Sequence, residues 1–199
     1  MDHFGGDEYG HQADKSTFDL GFGWLHYSLI RSFKPRNLLC VGSRYGYIPG
    51  IMAQACKDNH FGHVHFVDAG FGNKDKNHWT GVGYWKTKQG KSAFDKFRLH
   101  NQISTFVTTT KKFASKYPQL HYDYIYIDGD HSYRGVKSDY KSLYPKLNKS
   151  GLILFHDISV KEQLPEGNYG VHKLWKELAN QHSLEINYLG SGLGCIQKK

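Results

Sequence analysis

Residues 124–133, Tyr-Ile-Tyr-Ile-Asp-Gly-Asp-His-Ser-Tyr, constrain the fold of this chain more than any other segment. Four β-branched or aromatic residues are followed at once by two acids and a histidine. Buried strands of parallel sheets consist of such apolar runs, and the ligands of these sheets bind beyond the carboxyl ends of the strands. The segment therefore predicts a buried parallel strand that ends at a functional site.

The same arrangement occurs a second time further along the chain. Residues 152–155, Leu-Ile-Leu-Phe, end in His156 and Asp157. Apolar residues recur at helical spacing between the two runs, which predicts a helix that connects them. Two neighbouring strands are thus expected to bring acids and histidines to one edge of a sheet.

Strand patterns and helical patterns alternate along most of the chain. This alternation predicts an α/β fold, a doubly wound Rossmann-like sheet with helices on both faces. A polar arm and a helix occupy residues 1–35 in this interpretation, and one domain spans residues 36–199. The remaining predicted strands cover residues 37–42, 63–68 and 103–108, and a helix is predicted over residues 92–100. An antiparallel hairpin of residues 184–189 and 194–197 is predicted at the end of the sheet.

Composition excludes several classes of protein. The formal net charge of +8 permits an anionic partner, but the lysines are spread along the chain, so nucleic-acid binding is disfavoured. The three cysteines, Cys40, Cys56 and Cys195, have no close pair, which indicates free thiols in a reducing compartment. Apolar runs stay well short of membrane-spanning length, so no membrane partner and a cytoplasmic location are expected.

The first predicted strand ends in a turn that suits a nucleotide. Gly42, Ser43 and Gly46 would let a ligand approach the backbone, although a tight strand-to-helix turn needs glycine in any case. Asp68 ends the second strand, where a carboxylate can accept both hydroxyl groups of a ribose. The alternative for Asp68 is an ordinary aspartate at a turn. The spacing matches neither the dinucleotide fingerprint nor the Walker A motif.

Together these segments resemble class I S-adenosylmethionine-dependent methyltransferases. The likeness covers residues 36–199 and is carried by residues 40–47, Asp68, residues 128–133 and residues 151–157. It is strongest to small O-methyltransferases with an Asp-Gly-Asp-His-Ser-Tyr motif, which are related to catechol O-methyltransferase and to metal-dependent sugar O-methyltransferases. The resemblance implies a seven-stranded sheet with an antiparallel last strand.

The resemblance also implies roles for individual residues. S-adenosylmethionine would lie over Gly42, Ser43 and Gly46, with its ribose on Asp68 and with Asp128 close by. The metal-dependent relatives hold a divalent ion, usually magnesium, with acids at the ends of the fourth and fifth strands. The matching positions of this chain are Asp128, His156 and Asp157, and the general base of the sugar-modifying relatives matches Asp130.

The chain departs from the relatives at two positions. Cys40 stands where most of them carry an acid that supports the methionine end of the cofactor. His156 stands where the sugar-modifying enzymes have an acid, and imidazole suits manganese, iron or zinc better than magnesium. A divalent metal, either Mg²⁺ or Mn²⁺, and a metal-free site therefore both stay open.

Methyl transfer to a hydroxyl group needs a proton acceptor. Asp130 and His131 are the candidate catalytic residues, since a carboxylate or an imidazole near the acceptor can take its proton. The alternative is structural, because Ser132 or Asp130 could cap the helix that begins near Tyr133.

Residues 69–90, which include Trp79, are interpreted as a lid. The alternative is a surface excursion that packs on its own aromatic rings.

These observations predict a methyltransferase that acts on a hydroxyl group of a small metabolite or sugar. Nucleic-acid or protein methylation is a second hypothesis, disfavoured because residues 128–131 lack the Pro-Pro motif of amino-methylating DNA enzymes. A third is a nucleotide-binding or partner-binding domain whose catalytic edge has decayed, which Cys40 would fit. A homodimer is among the oligomeric states that stay open.

Overall fold

The computed structural model describes residues 2–4, 10–72, 83–161, 163–164, 167–179, 183–186 and 190–199. A seven-stranded sheet with the order β3-β2-β1-β4-β5-β9-β8 runs through its centre. Its strands are β1 (Asn37–Val41), β2 (His63–Asp68), β3 (Ile103–Val107), β4 (Tyr122–Ile127), β5 (Leu147–His156), β8 (Ser183–Ile186) and β9 (Leu193–Gln197). Strands β6 (Gln163–Leu164) and β7 (Gly167–Asn168) form a separate ribbon.

The first five strands pair in parallel, and β9 lies antiparallel to both β5 and β8. This topology confirms the predicted doubly wound sheet with its closing antiparallel hairpin. The carboxyl ends of β1, β2, β4 and β5 meet at one edge of the sheet, as parallel pairing requires.

Each central strand sends alternate side chains to two separate cores, because successive side chains of a strand point to opposite faces. Tyr124 and Tyr126 of β4 face one core, whereas Ile125 and Ile127 face the other. The first core is covered by helices α1 (Phe22–Phe33) and α2 (Tyr47–Asp58). The second is covered by α4 (Thr110–Lys116), α5 (Tyr133–Leu143) and α6 (Val171–Leu178). Among the described residues, every helix is too short or too polar to cross a bilayer.

The segment between β2 and β3 differs from the prediction. A helix was expected over residues 92–100, but the chain forms the single-turn helix α3 (Lys88–Lys91) and a 3₁₀ turn at Asp95–Phe97. Trp85 and Phe94 explain the difference, because their rings are buried and stacked 5.6 Å apart. These two aromatic anchors fix the path of the segment more strongly than the helical spacing of its other residues.

The polar segment before α1 contacts the domain at Phe4 and at His11, whereas residues 14–19 are exposed. Phe4 contacts Phe94 at a ring distance of 5.6 Å, and His11 is only 6% exposed. The carbonyl oxygen of His11 accepts a hydrogen bond of 2.8 Å from the amide of Phe22. A side chain on Gly21 would collide with this segment, since its Cβ would lie 2.2 Å from that same carbonyl oxygen. Phe4 therefore belongs to the first core.

We expect Trp85→Phe to lower the free energy of unfolding by about 1–3 kcal/mol, because it removes the donor to a buried carbonyl. The indole Nε1 of Trp85 donates a hydrogen bond of 2.7 Å to the carbonyl oxygen of Ser43. Trp24→Phe is the matched control, since Trp24 is 49% exposed and its loss should cost less than about 0.5 kcal/mol. Urea unfolding of both variants tests the difference, and equal losses would contradict the anchoring role of Trp85.

Candidate active site

The ends of β1 and β4 touch through their backbones. The amide of Asp128 donates to the carbonyl oxygen of Val41 at 2.8 Å, and the amide of Gly42 donates to that of Val67 at 2.9 Å. Gly42 has a φ of +73°, and a Cβ there would lie 2.2 Å from the carbonyl oxygen of Asp128. Only glycine fits both the conformation and the contact. The sequence therefore folds with the predicted cofactor turn directly beside the predicted acid cluster.

The turn after β1 is held by side-chain contacts from both sides. The Ser43 hydroxyl accepts a hydrogen bond of 3.0 Å from the amide of Gly46, whose φ is +98°. The buried thiol of Cys40 donates to the carbonyl oxygen of Gly42 at 3.6 Å. Cys40 thus supports the turn from the core side.

Asp68 lies against this turn. Its Oδ1 accepts a hydrogen bond of 2.6 Å from the amide of Gly70, and its Oδ2 lies 3.4 Å from the amide of Ser43. Burial raises the pKa of the Asp68 carboxyl group, while the two amides and Lys86 oppose that rise. The carboxylate is therefore placed next to Gly42 and Ser43, as the ribose hypothesis requires.

The structure brings the three predicted metal ligands together. The Nδ1 atom of His156 lies 3.3 Å from Oδ1 of Asp128 and 3.1 Å from Oδ1 of Asp157. Asp157 reaches this position with a φ of +61°, a left-handed conformation that aspartate tolerates. The side chains of these three residues are at most 9% exposed. A group of buried oxygen and nitrogen ligands therefore lies at the ends of β4 and β5.

His131 joins the same cluster through Asp157. Its Nδ1 forms a short hydrogen bond with Oδ2 of Asp157, and its ring packs against Tyr169 at 5.1 Å. The amide of Gly170 donates to the carbonyl oxygen of His131 at 2.8 Å, which fixes the backbone. Burial would lower the pKa of His131, but the neighbouring carboxylate of Asp157 outweighs burial and raises it.

The acids of the cluster are held ionised by the histidines. Burial alone would raise the pKa of Asp128 and of Asp157, yet the attraction of His156 and the other imidazoles keeps both below the usual range. The pKa of His156 is raised in turn, because the two carboxylates outweigh the effect of its burial. The carboxylates of the cluster therefore carry negative charge that protons on the histidines or a bound cation must balance.

The carboxylate of Asp130 contacts the start of helix α5. Its Oδ1 accepts a hydrogen bond of 2.9 Å from the amide of Ser132, and its carboxylate packs against Gly135. Ser132 is the residue that caps the helix, since its hydroxyl accepts a hydrogen bond of 3.0 Å from the amide of Gly135. The capping alternative thus holds for Ser132, and the catalytic role of Asp130 stays a prediction.

Two residues that the sequence did not suggest complete the surroundings. The Nε2 atom of His11 lies 3.9 Å from Oδ2 of Asp128, and its ring centroid lies 4.8 Å from that of His156. The Ser191 hydroxyl lies 3.2 Å from Nε2 of His156. Both come from polar segments without a strand or helix pattern, so no local signal points to them.

Asp139 is a third residue that the sequence did not suggest. It lies on α5, and its Oδ2 approaches the backbone of Gly129 beside the cluster. Burial raises the pKa of its carboxyl group to about 7, although a hydrogen bond with Thr110 opposes the shift. A carboxylic acid that is half protonated near neutral pH therefore lies behind the loop that carries Asp128.

The predicted lid is described only in part. Residues 73–82, with Trp79, lie outside the described residues. Trp85 is 2% exposed and packs on Phe66 at 4.5 Å, so its ring belongs to the core. The neighbouring Tyr84 contacts Tyr45 of the glycine turn at a ring distance of 5.2 Å. The closing motion of residues 69–90 stays a prediction.

Comparison with known proteins connects this site to a family. A family model described as a methyltransferase domain matches residues 39–158, from β1 to the end of β5. The chain is also 27% identical, over 191 residues, to the uncharacterized protein y4gI of Sinorhizobium fredii. That match covers 90% of this chain but only 19% of the relative, so the chain spans about a fifth of the length of the curated relative it matches.

Solved structures show the same fold at low identity. A Staphylococcus aureus protein assigned as a caffeoyl-CoA O-methyltransferase has a TM-score of 0.68 and 18% identity, covering 100% of this chain and 90% of its own. The O-methyltransferase of Bacillus cereus in complex with SAH has a TM-score of 0.66 and 13% identity, covering 94% and 83%. TomG of Streptomyces achromogenes, an O-methyltransferase of tomaymycin synthesis in complex with SAM, has a TM-score of 0.64 and 12% identity, covering 89% and 79%.

Asp139→Asn is expected to stabilise the protein at pH 8 more than at pH 5, and to change its stability little only below about pH 3.8. Between its ordinary pKa of 3.8 and its folded pKa of about 7, the folded state holds a proton that the unfolded state has lost. The stability of the natural protein therefore falls across this window by up to about 1.4 kcal/mol per pH unit, and asparagine removes that loss. Urea unfolding at pH 5 and pH 8 measures the difference.

The control for this comparison is Asp95→Asn, which changes an exposed aspartate of a 3₁₀ turn. Its effect should stay within about 0.5 kcal/mol at both pH values. A gain from Asp139→Asn that is the same at pH 5 and pH 8 would show that the Asp139 carboxyl group ionises normally.

Proposed function

The chain belongs to the family of methyltransferase domains, and we propose that it transfers a methyl group from S-adenosylmethionine to a hydroxyl group of a small molecule. The observation that carries this proposal is the contact between the Gly42 turn and Asp128. Because of this contact, a turn of the kind that binds nucleotides lies beside the acid cluster, next to the candidate proton acceptors Asp130 and His131. The structural neighbours from Bacillus cereus and Streptomyces achromogenes, which hold SAH and SAM, support the choice of cofactor.

The residues around the glycine turn fit the cofactor. Gly42 and Gly46 give the turn its positive φ angles, and the start of α2 provides amide groups at the same edge. The carboxylate of Asp68 would accept the ribose hydroxyl groups, and Asp128 would border the cofactor from β4. When bound, S-adenosylmethionine supplies an electrophilic methyl group on a positively charged sulfur.

The acceptor hydroxyl must lose its proton as the methyl group is transferred. His131 is our candidate for this step, because a hydrogen bond from its Nδ1 to Asp157 favours the tautomer whose Nε2 carries the lone pair. Nε2 would take the proton of the acceptor, and the Asp157 carboxylate would stabilise the imidazolium ion that results. Asp130 is the second candidate for this role, at the start of α5.

The residues of the cluster also fit a divalent metal ion. Asp128, His156 and Asp157 offer oxygen and nitrogen ligands at short mutual distances, and Nδ1 of His156 makes no regular hydrogen bond within the described part of the chain. A divalent ion held by these residues would act as a Lewis acid that lowers the pKa of the acceptor hydroxyl. Asp157 can serve both roles, since its two oxygens face different histidines.

The acceptor class is proposed as a small hydroxylated metabolite or sugar. Residues 128–131, Asp-Gly-Asp-His, suit deprotonation of a hydroxyl group better than transfer to an exocyclic amine of a DNA base. The cytoplasm is the proposed compartment, because all three cysteines are free thiols.

Asp68→Ala is expected to weaken S-adenosylmethionine binding roughly 10- to 150-fold, because each charge-assisted hydrogen bond to the ribose contributes about 1.5–3 kcal/mol. Asp95→Ala is the matched control, since it removes an aspartate that lies outside the site. Isothermal titration calorimetry of both variants with S-adenosylmethionine measures the effect. Unchanged affinity in a folded Asp68→Ala protein would contradict the assignment of the ribose to Asp68.

His131→Gln is expected to lower methyl transfer by about 10²–10⁴-fold, because it removes the proton acceptor. Asp130→Asn is the comparison, and its loss should be less than about tenfold if Asp130 mainly orders the start of α5. Release of S-adenosylhomocysteine, measured with acceptors found by screening hydroxylated metabolites, reports both rates. The reverse order of the two losses would make Asp130 the base and would contradict the role of His131.

A further inference from the structure

The segment before helix α1 inserts a histidine into the acid cluster. His11 is held there from both sides, since its carbonyl oxygen accepts from the amide of Phe22 and the preceding Gly10 accepts from the hydroxyl of Ser191 at 2.7 Å. Its ring is almost fully buried, and its Nδ1 has no hydrogen-bond partner among the described residues. A buried imidazole without hydrogen bonds costs free energy unless another interaction compensates for it. Its Nε2 faces Oδ2 of Asp128 at 3.9 Å, too far for a hydrogen bond.

The orientation of His156 follows from the same contacts. The hydroxyl of Ser191 donates its proton to Gly10, so its oxygen accepts from Nε2–H of His156 at 3.2 Å. Nδ1 faces the carboxylates of Asp128 and Asp157, which attract a proton to it, yet it makes no regular hydrogen bond within the described residues. Once that proton is lost, the lone pair of Nδ1 points at the same place as the carboxylate oxygens. A divalent cation that replaces the proton would be bound by all three groups.

The distances suit one ion. Ligand atoms around a divalent cation with bonds of about 2.1 Å lie about 3 Å apart when adjacent and about 4.2 Å apart when opposite. The measured separations from Nδ1 of His156 are 3.1 and 3.3 Å, and His11 and Asp128 are separated by 3.9 Å. The ligand atoms of His11, Asp128 and His156 all lie within 4.8 Å of one another.

We propose that His11 is a direct ligand of a divalent transition metal ion, together with His156, Asp128 and Asp157. Two imidazoles and two carboxylates favour Mn²⁺, Fe²⁺, Co²⁺ or Zn²⁺ over Mg²⁺, which prefers oxygen ligands and retains its water. The metal site and the proposed methyltransferase site lie at the same place, and the proposal rests on the proposed function only in this respect. It adds a ligand from outside residues 39–158, the part of the chain that the family model matches.

A structural consequence follows from the way His11 is attached. The segment is anchored to the entry of α1 through His11 and to the chain before β9 through Ser191. Ser191 also fixes the ring of His156 from behind, as the outer hydrogen-bond partners of metal-bound histidines do. Binding of the ion would therefore stabilise the docked N-terminal segment along with the site.

Cobalt(II) is a suitable probe, because its visible absorption depends on the number and type of its ligands. We expect His11→Ala to weaken Co²⁺ binding by more than about 100-fold, since even outer-shell partners contribute 10- to 100-fold, and to change the visible spectrum. Ser191→Ala should weaken binding by about 10- to 100-fold with little change in the spectrum. The matched control is His121→Ala, an exposed histidine outside the site, whose affinity and spectrum should equal those of the natural protein.

Protein stability gives a second readout that does not depend on activity. Saturating Co²⁺ should raise the melting temperature of the natural protein and of His121→Ala, whereas His11→Ala should gain little. If His11→Ala does not fold, His11→Gln replaces it, since glutamine is a poor ligand for a transition metal but fills part of the same space. Mg²⁺ at the same concentration should displace little Co²⁺ from the natural protein.

The outcomes separate this proposal from the proposed function. Equal Co²⁺ affinity and equal spectra of His11→Ala and the natural protein would overturn the role of His11. A natural protein that binds S-adenosylmethionine and transfers methyl groups but binds no Co²⁺ would overturn the metal site and leave the methyltransferase function intact. Co²⁺ binding that requires His11, in a protein that binds no S-adenosylmethionine, would support the metal site and contradict the proposed function.

Discussion

The backbone contact between the ends of β1 and β4 is the constraint on which the rest of the site depends. Gly42 leaves β1 directly against the carbonyl oxygen of Asp128, closer than any residue with a side chain would permit. The cofactor turn and the acid cluster therefore share one wall. Parallel pairing of β1 with both β2 and β4 then fixes Asp68 on one side of the turn and the cluster on the other.

Burial of charge is the second condition that this edge of the sheet must satisfy. Asp128 and Asp157 lose most of their contact with water, and such charges persist in a protein only when they are paired or bind a cation. The histidines supply part of this compensation. The two oxygens of Asp157 contact His131 and His156, one each. A change in the charge or position of one histidine therefore alters the interaction of Asp157 with the other.

The sequence predicted the parts of the fold that local physical chemistry decides. Apolar runs, glycine turns and the hairpin were located correctly because strand period, turn geometry and burial act over a few residues. The path of residues 92–100 was predicted wrongly because it depends on the stacking of Trp85 on Phe94. A contact between two aromatic rings that the underlying core holds in place cannot be predicted from a local sequence pattern.

The residues of the candidate site also divide into those that local sequence patterns predict and those that depend on tertiary contacts. Asp128, His156 and Asp157 could be placed together from the sequence, since the ends of adjacent parallel strands must meet. His11 could not, because it belongs to a polar segment whose position is set by Gly21, Ser191 and the entry of α1. Strand ends define what chemistry is available at this edge. Segments without a periodic pattern then decide which ligands complete it, and they can change while the sheet stays the same.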